Sequence, residues 1–99
     1  MKKTPKLPYV IVRCTQAGVH AGELVSRKGQ EVELRNARRI WYWTGAASLS
    51  ELAVYGSKTP LTCKFAALVP KHEILDACEI IHTQPAGEKM IREQPEWRA

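Results

Sequence analysis

The chain predicts a β-rich α+β domain, folded as a strongly bent antiparallel sheet or an SH3/Sm-like partial barrel with one short capped helix and a short C-terminal helix. Three observations predict it. Short runs of β-branched and aromatic residues recur along the chain, Gly, Pro and Asn punctuate them, and a single capped helix start interrupts them. The 99 residues suffice for one modest core and not for two. Apolar and charged contents of 44% and 25% are those of an ordinary globular domain. No apolar run approaches the roughly 20 residues that cross a bilayer, so no membrane partner is expected.

Residues 1–8 read as a flexible basic arm carrying Lys2, Lys3 and Lys6, and residues 9–99 as the globular domain. Met-Lys-Lys resembles a signal-peptide start, but Thr4, Pro5, Lys6 and Pro8 stand where an apolar h-region belongs, which points to the cytosol. The first strand is YVIVRC, Tyr9 to Cys14. Gly18 and Gly22 frame a loop or bulged strand entry. Glu23–Ser26 and Glu31–Asn36 then flank a turn at Arg27-Lys28-Gly29-Gln30, whose glycine is placed for positive φ.

In the second arm of that hairpin Val32 and Leu34 face one side, and Glu31, Glu33 and Arg35 the other. Asn36-Ala37 breaks or bends the strand. Strict alternation beyond it puts Arg38, Ile40 and Tyr42 on one face and Arg39, Trp41 and Trp43 on the opposite one. Ser48-Leu49-Ser50-Glu51 is a capping box, and Gly56 ends the helix about two turns later, with Leu49, Leu52 and Ala53 as its buried stripe.

Beyond a loop around Pro60 the sequence predicts a strand from Lys64 to Val69, a turn at Pro70-Lys71, and one long central strand from Glu73 to His82 covered on both faces. Pro85 opens a last helix that stops before Pro95, and Trp97 is expected to fold back onto the core.

The residues that carry chemistry are concentrated between Leu34 and Leu52. Arg35, Arg38 and Arg39 offer forked donors to phosphate or carboxylate. Thr44, Gly45, Ala46, Ala47 and Ser48 lead into a helix start, where tiny residues let an anion approach unpaired N–H groups and the hydroxyls add donors. Trp41, Tyr42 and Trp43 supply rings that stack on a base or nucleoside. The structural alternative is that Arg38 and Arg39 pair with Glu31, Glu33 or Glu51, that Gly45–Ala47 are small for close packing, and that at least one Trp belongs to the core. Trp, Tyr and Arg are also the residues of interface hot spots, which leaves subunit contact open and makes a homo-oligomer an expected state.

Catalysis and cofactors have no comparable pattern. Cys63, His72, Cys78 and His82 lack the spacing of a zinc site, and no nucleophile elbow, Walker loop, Rossmann fingerprint or HExxH is present. No metal, cofactor or enzymatic role is expected. Cys14, Cys63 and Cys78 read as reduced, mostly buried thiols. The formal net charge of +5 favours an anionic partner.

The segments YVIVR (Tyr9–Arg13), AGVHAGEL (Ala17–Leu24), LRNARRIWYWTGAASLSELA (Leu34–Ala53), CKF (Cys63–Phe65) and EII (Glu79–Ile81), with Trp97, resemble a family of small tailed-bacteriophage and prophage proteins. That family carries the motif LRNARR(I/L)WYWxGAASLSxLA and has no established enzymatic activity or assigned catalytic residues. The resemblance implies a viral accessory protein acting in the cytoplasm of the infected bacterial host. With the arginine and aromatic cluster, it implies a non-enzymatic sponge that sequesters a nucleotide-type immune signal. The alternatives are a nucleic-acid-binding accessory protein and a protein-directed inhibitor of a host factor.

Overall fold

The computed structural model describes residues 6–98, so most of the expected basic arm, residues 1–5, lies outside the described residues. Six strands and two helices follow in the order β1 (Tyr9–Cys14), β2 (Val19–Lys28), β3 (Glu31–Tyr42), α1 (Leu49–Tyr55), β4 (Lys64–Phe65), β5 (Val69–Ile74), β6 (Ala77–His82) and α2 (Pro85–Glu93), with a 3₁₀ turn at Pro60–Thr62. The antiparallel sheet runs β4-β3-β2-β1-β6, and β5 pairs with the first half of β3. It does not close into a barrel. The expected α+β class and bent sheet are therefore observed, with a gap where closure would be.

Alternation along β1 shows how two cores are made from one sheet. Tyr9 and Ile11 join Ala21, Ile40 and Phe65 under Leu52, Ala53 and Ile91 of the helices. Val10, Val12 and Cys14 point the other way, into a cluster with Val32, Leu34, Ala37, Ile74 and Ala77. Both faces of β1 are covered, which suits its β-branched run and makes it the true central strand.

The hairpin turn falls at Gly29-Gln30, with Gly29 at φ 60°, as the sequence predicts. Asn36 has φ 53°, the one non-glycine residue in the left-handed region among the described residues. The register steps from Glu23↔Arg35 to Ala21↔Arg38, so β3 carries one extra residue there and continues as a single bulged strand. That bulge brings Ala37 back to the face of Val32 and Leu34.

The second half of the chain departs from its expected elements. Only Lys64–Phe65 pairs as β4, and Pro70-Lys71 lies inside β5 instead of at a turn. Proline is tolerated there because β5 is an edge strand, and the flanking pairs Val69↔Ala37 and Lys71↔Arg35 set Pro70 opposite the Asn36 bulge. The expected central strand over 73–82 breaks at Leu75-Asp76. Asp76 leaves the ladder because its carboxylate accepts the backbone N–H groups of Gln16 (2.6 Å) and Ala17 (3.1 Å), and its carbonyl that of Thr15. Leu75 is 71% exposed at the corner. β6 is thus an edge strand paired to β1, with Cys78, Glu79 and His82 exposed.

Both helices obey their termini. Ser48 Oγ accepts the Glu51 N–H (3.1 Å), and Gly56 at φ 78° closes α1 by donating to the Leu52 carbonyl. Pro85 stands in the first turn of α2. The helices cross at Gly87, where an added Cβ would lie 2.0 Å from the Ala53 carbonyl oxygen. Gly87→Ala is therefore expected to lower unfolding stability by about 3 kcal/mol, since backbone has to move apart. Gly29→Asn, at a site with open space and a φ that Asn adopts, should stay within about 0.5 kcal/mol in the same urea titrations.

Candidate functional site

The three arginines of the motif do not converge. Arg38 is 3% exposed, and its guanidinium spends every donor group on main-chain carbonyls. Nε and Nη2 donate to Ala66 (3.3 and 3.2 Å), Nη1 to Ile91 and Gln94 (3.0 and 2.7 Å), and Nη2 also to Pro95 (3.4 Å). Burial pulls its pKa below the ordinary arginine value. The end of α2 supplies partial negative charge in place of a carboxylate. Arg38 is a structural residue, and its expected ligand role is corrected.

Arg35 is bonded to Glu23, as is Arg92 from α2. Burial works against the Glu23 carboxylate, but hydrogen bonds from Asn36, Arg35 and Arg92 outweigh it and hold its pKa below the usual range. The acidic partners considered from sequence, Glu31, Glu33 and Glu51, form no ion pair with Arg38 or Arg39 among the described residues. Arg39 alone of the three remains exposed without an ion pair among the described residues, on the sheet face opposite the helices.

The Thr44–Ser48 approach to α1 is also occupied by structure. A Cβ on Gly45 would lie 2.5 Å from the Thr59 nitrogen, and the Lys58 N–H donates to the Gly45 carbonyl. Thr44 Oγ1 is hydrogen-bonded to the hydroxyls of Thr59 (2.9 Å) and Thr62, and its carbonyl accepts from Ser57. Ala46 packs against the helix-side core, and Ser48 is spent on the cap. With only seven residues in α1, this segment is a packed corner and not an anion cradle.

What the structure does assemble is an aromatic surface. Ile40 pairs with Phe65 and Tyr42 with Lys64, so two steps along β3 match one along β4. The bulge places Trp41 and Tyr42 on the same side, 57% and 47% exposed, and turns Trp43 into the helix-side core. Strict alternation fails for this reason. Trp97 returns as expected, but onto Trp41: the indoles stack at 4.8 Å with 16° between planes. The Lys64 ammonium lies 5.2, 5.1 and 5.9 Å from the ring centres of Trp41, Trp97 and Tyr42. Being nearly equidistant from two stacked rings, it sits at their shared rim and leaves the outer faces open. Arg39, two residues before Trp41 on the same face, extends the basic character.

Lys64 and Trp97 were not legible as members of this site. Lys64 was visible only as a strand residue in the CKF segment, and no spacing rule brings residue 97 to residue 41.

Beside Arg39, His20 is fully buried, donates from Nε2 to the Ala17 carbonyl (2.9 Å), and packs edge-on against His72 at 4.6 Å. Its Nδ1 finds no partner among the described residues. Burial holds its pKa down to about 4, and the His72 pKa is lowered by burial and by Arg39. The thiols are not mostly buried as expected: Cys14 is buried, with burial raising its pKa to about 11, Cys63 is half-buried, and Cys78 is exposed and faces the Arg13 carbonyl at 3.3 Å. Cys63, in contrast, faces the Thr44 carbonyl, so the four potential metal ligands stand among different neighbours. Among the described residues no three His, Cys, Asp or Glu side chains form a group able to hold a metal ion. No helix of the described residues is long and apolar enough to cross a membrane.

One family model, described as a domain of unknown function (DUF6948), matches residues 7–91. No curated protein and no solved structure matches the chain.

Arg38→Ala is expected to cost about 3 kcal/mol of stability, because carbonyls from three segments lose a charged donor, whereas Arg39→Ala should stay within about 0.5 kcal/mol. Thermal and urea unfolding of both variants check the contrast. Acidification supplies a second test. Folded His20 titrates near 4 and an unfolded histidine near 6.5, so between those values the unfolded chain alone takes up the proton. Stability should rise from pH 4 to 6.5 by up to about 3 kcal/mol and level off above. His20→Gln should flatten that segment, and a flat wild-type profile would contradict the buried neutral imidazole.

Proposed function

The chain belongs to the DUF6948 family, and we propose that it is a phage-encoded, non-enzymatic binding protein that captures a nucleotide-type anionic ligand in the cytoplasm of an infected bacterial host. One observation carries this reading: Trp41, Tyr42 and Trp97 form an exposed aromatic surface rimmed by the Lys64 ammonium. A purine or pyrimidine stacks on such a ring at a gain of about 1–3 kcal/mol, whatever its hydrogen-bonding edge. Lys64 beside the rings and Arg39, two residues before Trp41 on β3, meet the phosphate by charge. The net charge of +5 draws such a ligand in. Association of copies fits the same surface, since a domain this small encloses little of a ligand alone.

A second reading, binding of single-stranded nucleic acid, is favoured by the openness of the platform. A groove of about 560 Å³ lies elsewhere, between Arg27, Gln30 and β6. An unenclosed row of rings flanked by cations suits a continuous strand as well as a single nucleotide.

Tryptophan emission, titrated with linear and cyclic mono- and dinucleotides and with short oligonucleotides, separates the two. Capture of a small nucleotide should quench emission saturably, change modestly with salt, and return the ligand unchanged after heat denaturation. Oligonucleotide binding should fall steeply with salt as counterions are released. Trp41→Ala should weaken either by about 1–3 kcal/mol, and Lys64→Ala by a smaller, salt-sensitive amount. Absence of quenching across the panel would overturn both and leave protein-directed inhibition, and a converted ligand would overturn the non-enzymatic part.

A further inference from the structure

We propose that the segment Gln94–Arg98 is an opening strap that covers Trp41, with the Trp97 indole seated where a ligand ring would stack. The proposal rests on the reading of this face as the stacking surface. Near-parallel rings at 4.8 Å form the offset arrangement that a bound base adopts on an aromatic side chain.

The strap is anchored at its base, where buried Arg38 bonds the Gln94 and Pro95 carbonyls, and its attachments beyond that are shallow. Trp97 N–H donates to the Phe65 carbonyl (2.8 Å), Glu96 forms an isolated bridge to Phe65, and Arg38 reaches the carbonyls of Gln94 and Pro95. The side chains from Pro95 to Arg98 are all exposed, and Arg98 pairs with Glu96 inside the strap itself. Apart from the indole stack, no apolar side chain of Pro95–Arg98 is buried in a core. Segments held by a few solvent-accessible backbone bonds open well before the domain unfolds.

Opening does not strand the buried charge beneath. Arg38 keeps its bonds to Ala66 and Ile91, which lie outside the strap. Closure places an aromatic ring in competition with the ligand for the inner face of Trp41, and the apparent affinity of that face is its intrinsic affinity multiplied by the fraction of time the strap is open.

Two measurements on the full chain test this. Amide hydrogen exchange without ligand should show the Trp97 N–H exchanging by local opening, much faster than the amides of β1 and with little dependence on low urea. Exchange of Trp97 only through global unfolding would overturn the proposal. Calorimetric titration with 5′-AMP should show Trp97→Ala binding tighter than wild type, by on the order of tenfold for a strap closed nine-tenths of the time. Equal or weaker binding by Trp97→Ala would overturn it, making Trp97 a bystander or half of the platform. If neither protein binds 5′-AMP or any nucleotide of the panel, the stacking reading fails separately, and the exchange result still decides whether the strap opens.

Discussion

Burying a guanidinium without a carboxylate is the constraint around which this domain is built. A charge removed from water costs several kcal/mol unless its surroundings replace the lost hydration. For Arg38 the replacement comes from carbonyls in the segment after β4, at the end of α2 and in the strap. Those carbonyls include acceptors that a helix C-terminus leaves without intrahelical donors, so each side satisfies the other. α2 therefore has to end where it does, over Phe65, whose ring lies 5.5 Å from the guanidinium carbon. The same residue thus fixes the helix layer, one edge of the helix-side core and the path of the chain toward Trp97.

Glu23 is a second, weaker junction of the same kind. It joins β3 to α2 by accepting from Arg35 and Arg92, and Arg92 in turn lies 4.3 Å over the Tyr9 ring. Burial raises the Tyr9 pKa to about 12, so the phenol stays neutral beneath that cation. Arg35, Arg38 and Arg92 are all spent on holding α2 to the sheet. A high arginine count in a motif is therefore poor evidence for a ligand until each side chain's partner is known.

Local chemistry was legible in the sequence and long-range accounting was not. The Ser48 cap, the Gly56 stop, the Gly29 turn, the Pro85 helix start and the period-two burial of β1 each depend on residues within a few positions of one another. Where the reading failed, a distant segment had changed the local rule. Asp76 left its strand for the amides of Gln16 and Ala17, and Pro70 was admitted to a strand because the Asn36 bulge lies across from it. Thr44 and Gly45 were claimed by Ser57–Thr62. The predicted site suffered most, since Arg38 carries the same local signals whether it faces solvent or Ile91. Of its rings, Trp41 and Tyr42 are exposed and Trp43 packs against the core, while Lys64 and Trp97 come beside them from elsewhere in the chain.

The placement of those rings is itself an argument about constraint. Regular alternation would have sent Trp41 and Trp43 to one face and Tyr42 to the other, giving each side of the sheet something to bury. The helix-side core is already filled by Phe65, Ile40, Leu52 and Ile91, and takes in only Trp43. Turning Trp41 and Tyr42 together toward the surface required an unpaired residue in β3, which disrupts the ladder and gains no buried area for either ring. A bulge of this kind re-aims side chains at the expense of pairing, and what it gains for the core is Trp43. The Trp97 stack recovers part of the lost contact, so the resting domain shields one of its exposed rings with another and leaves the Lys64 rim facing water.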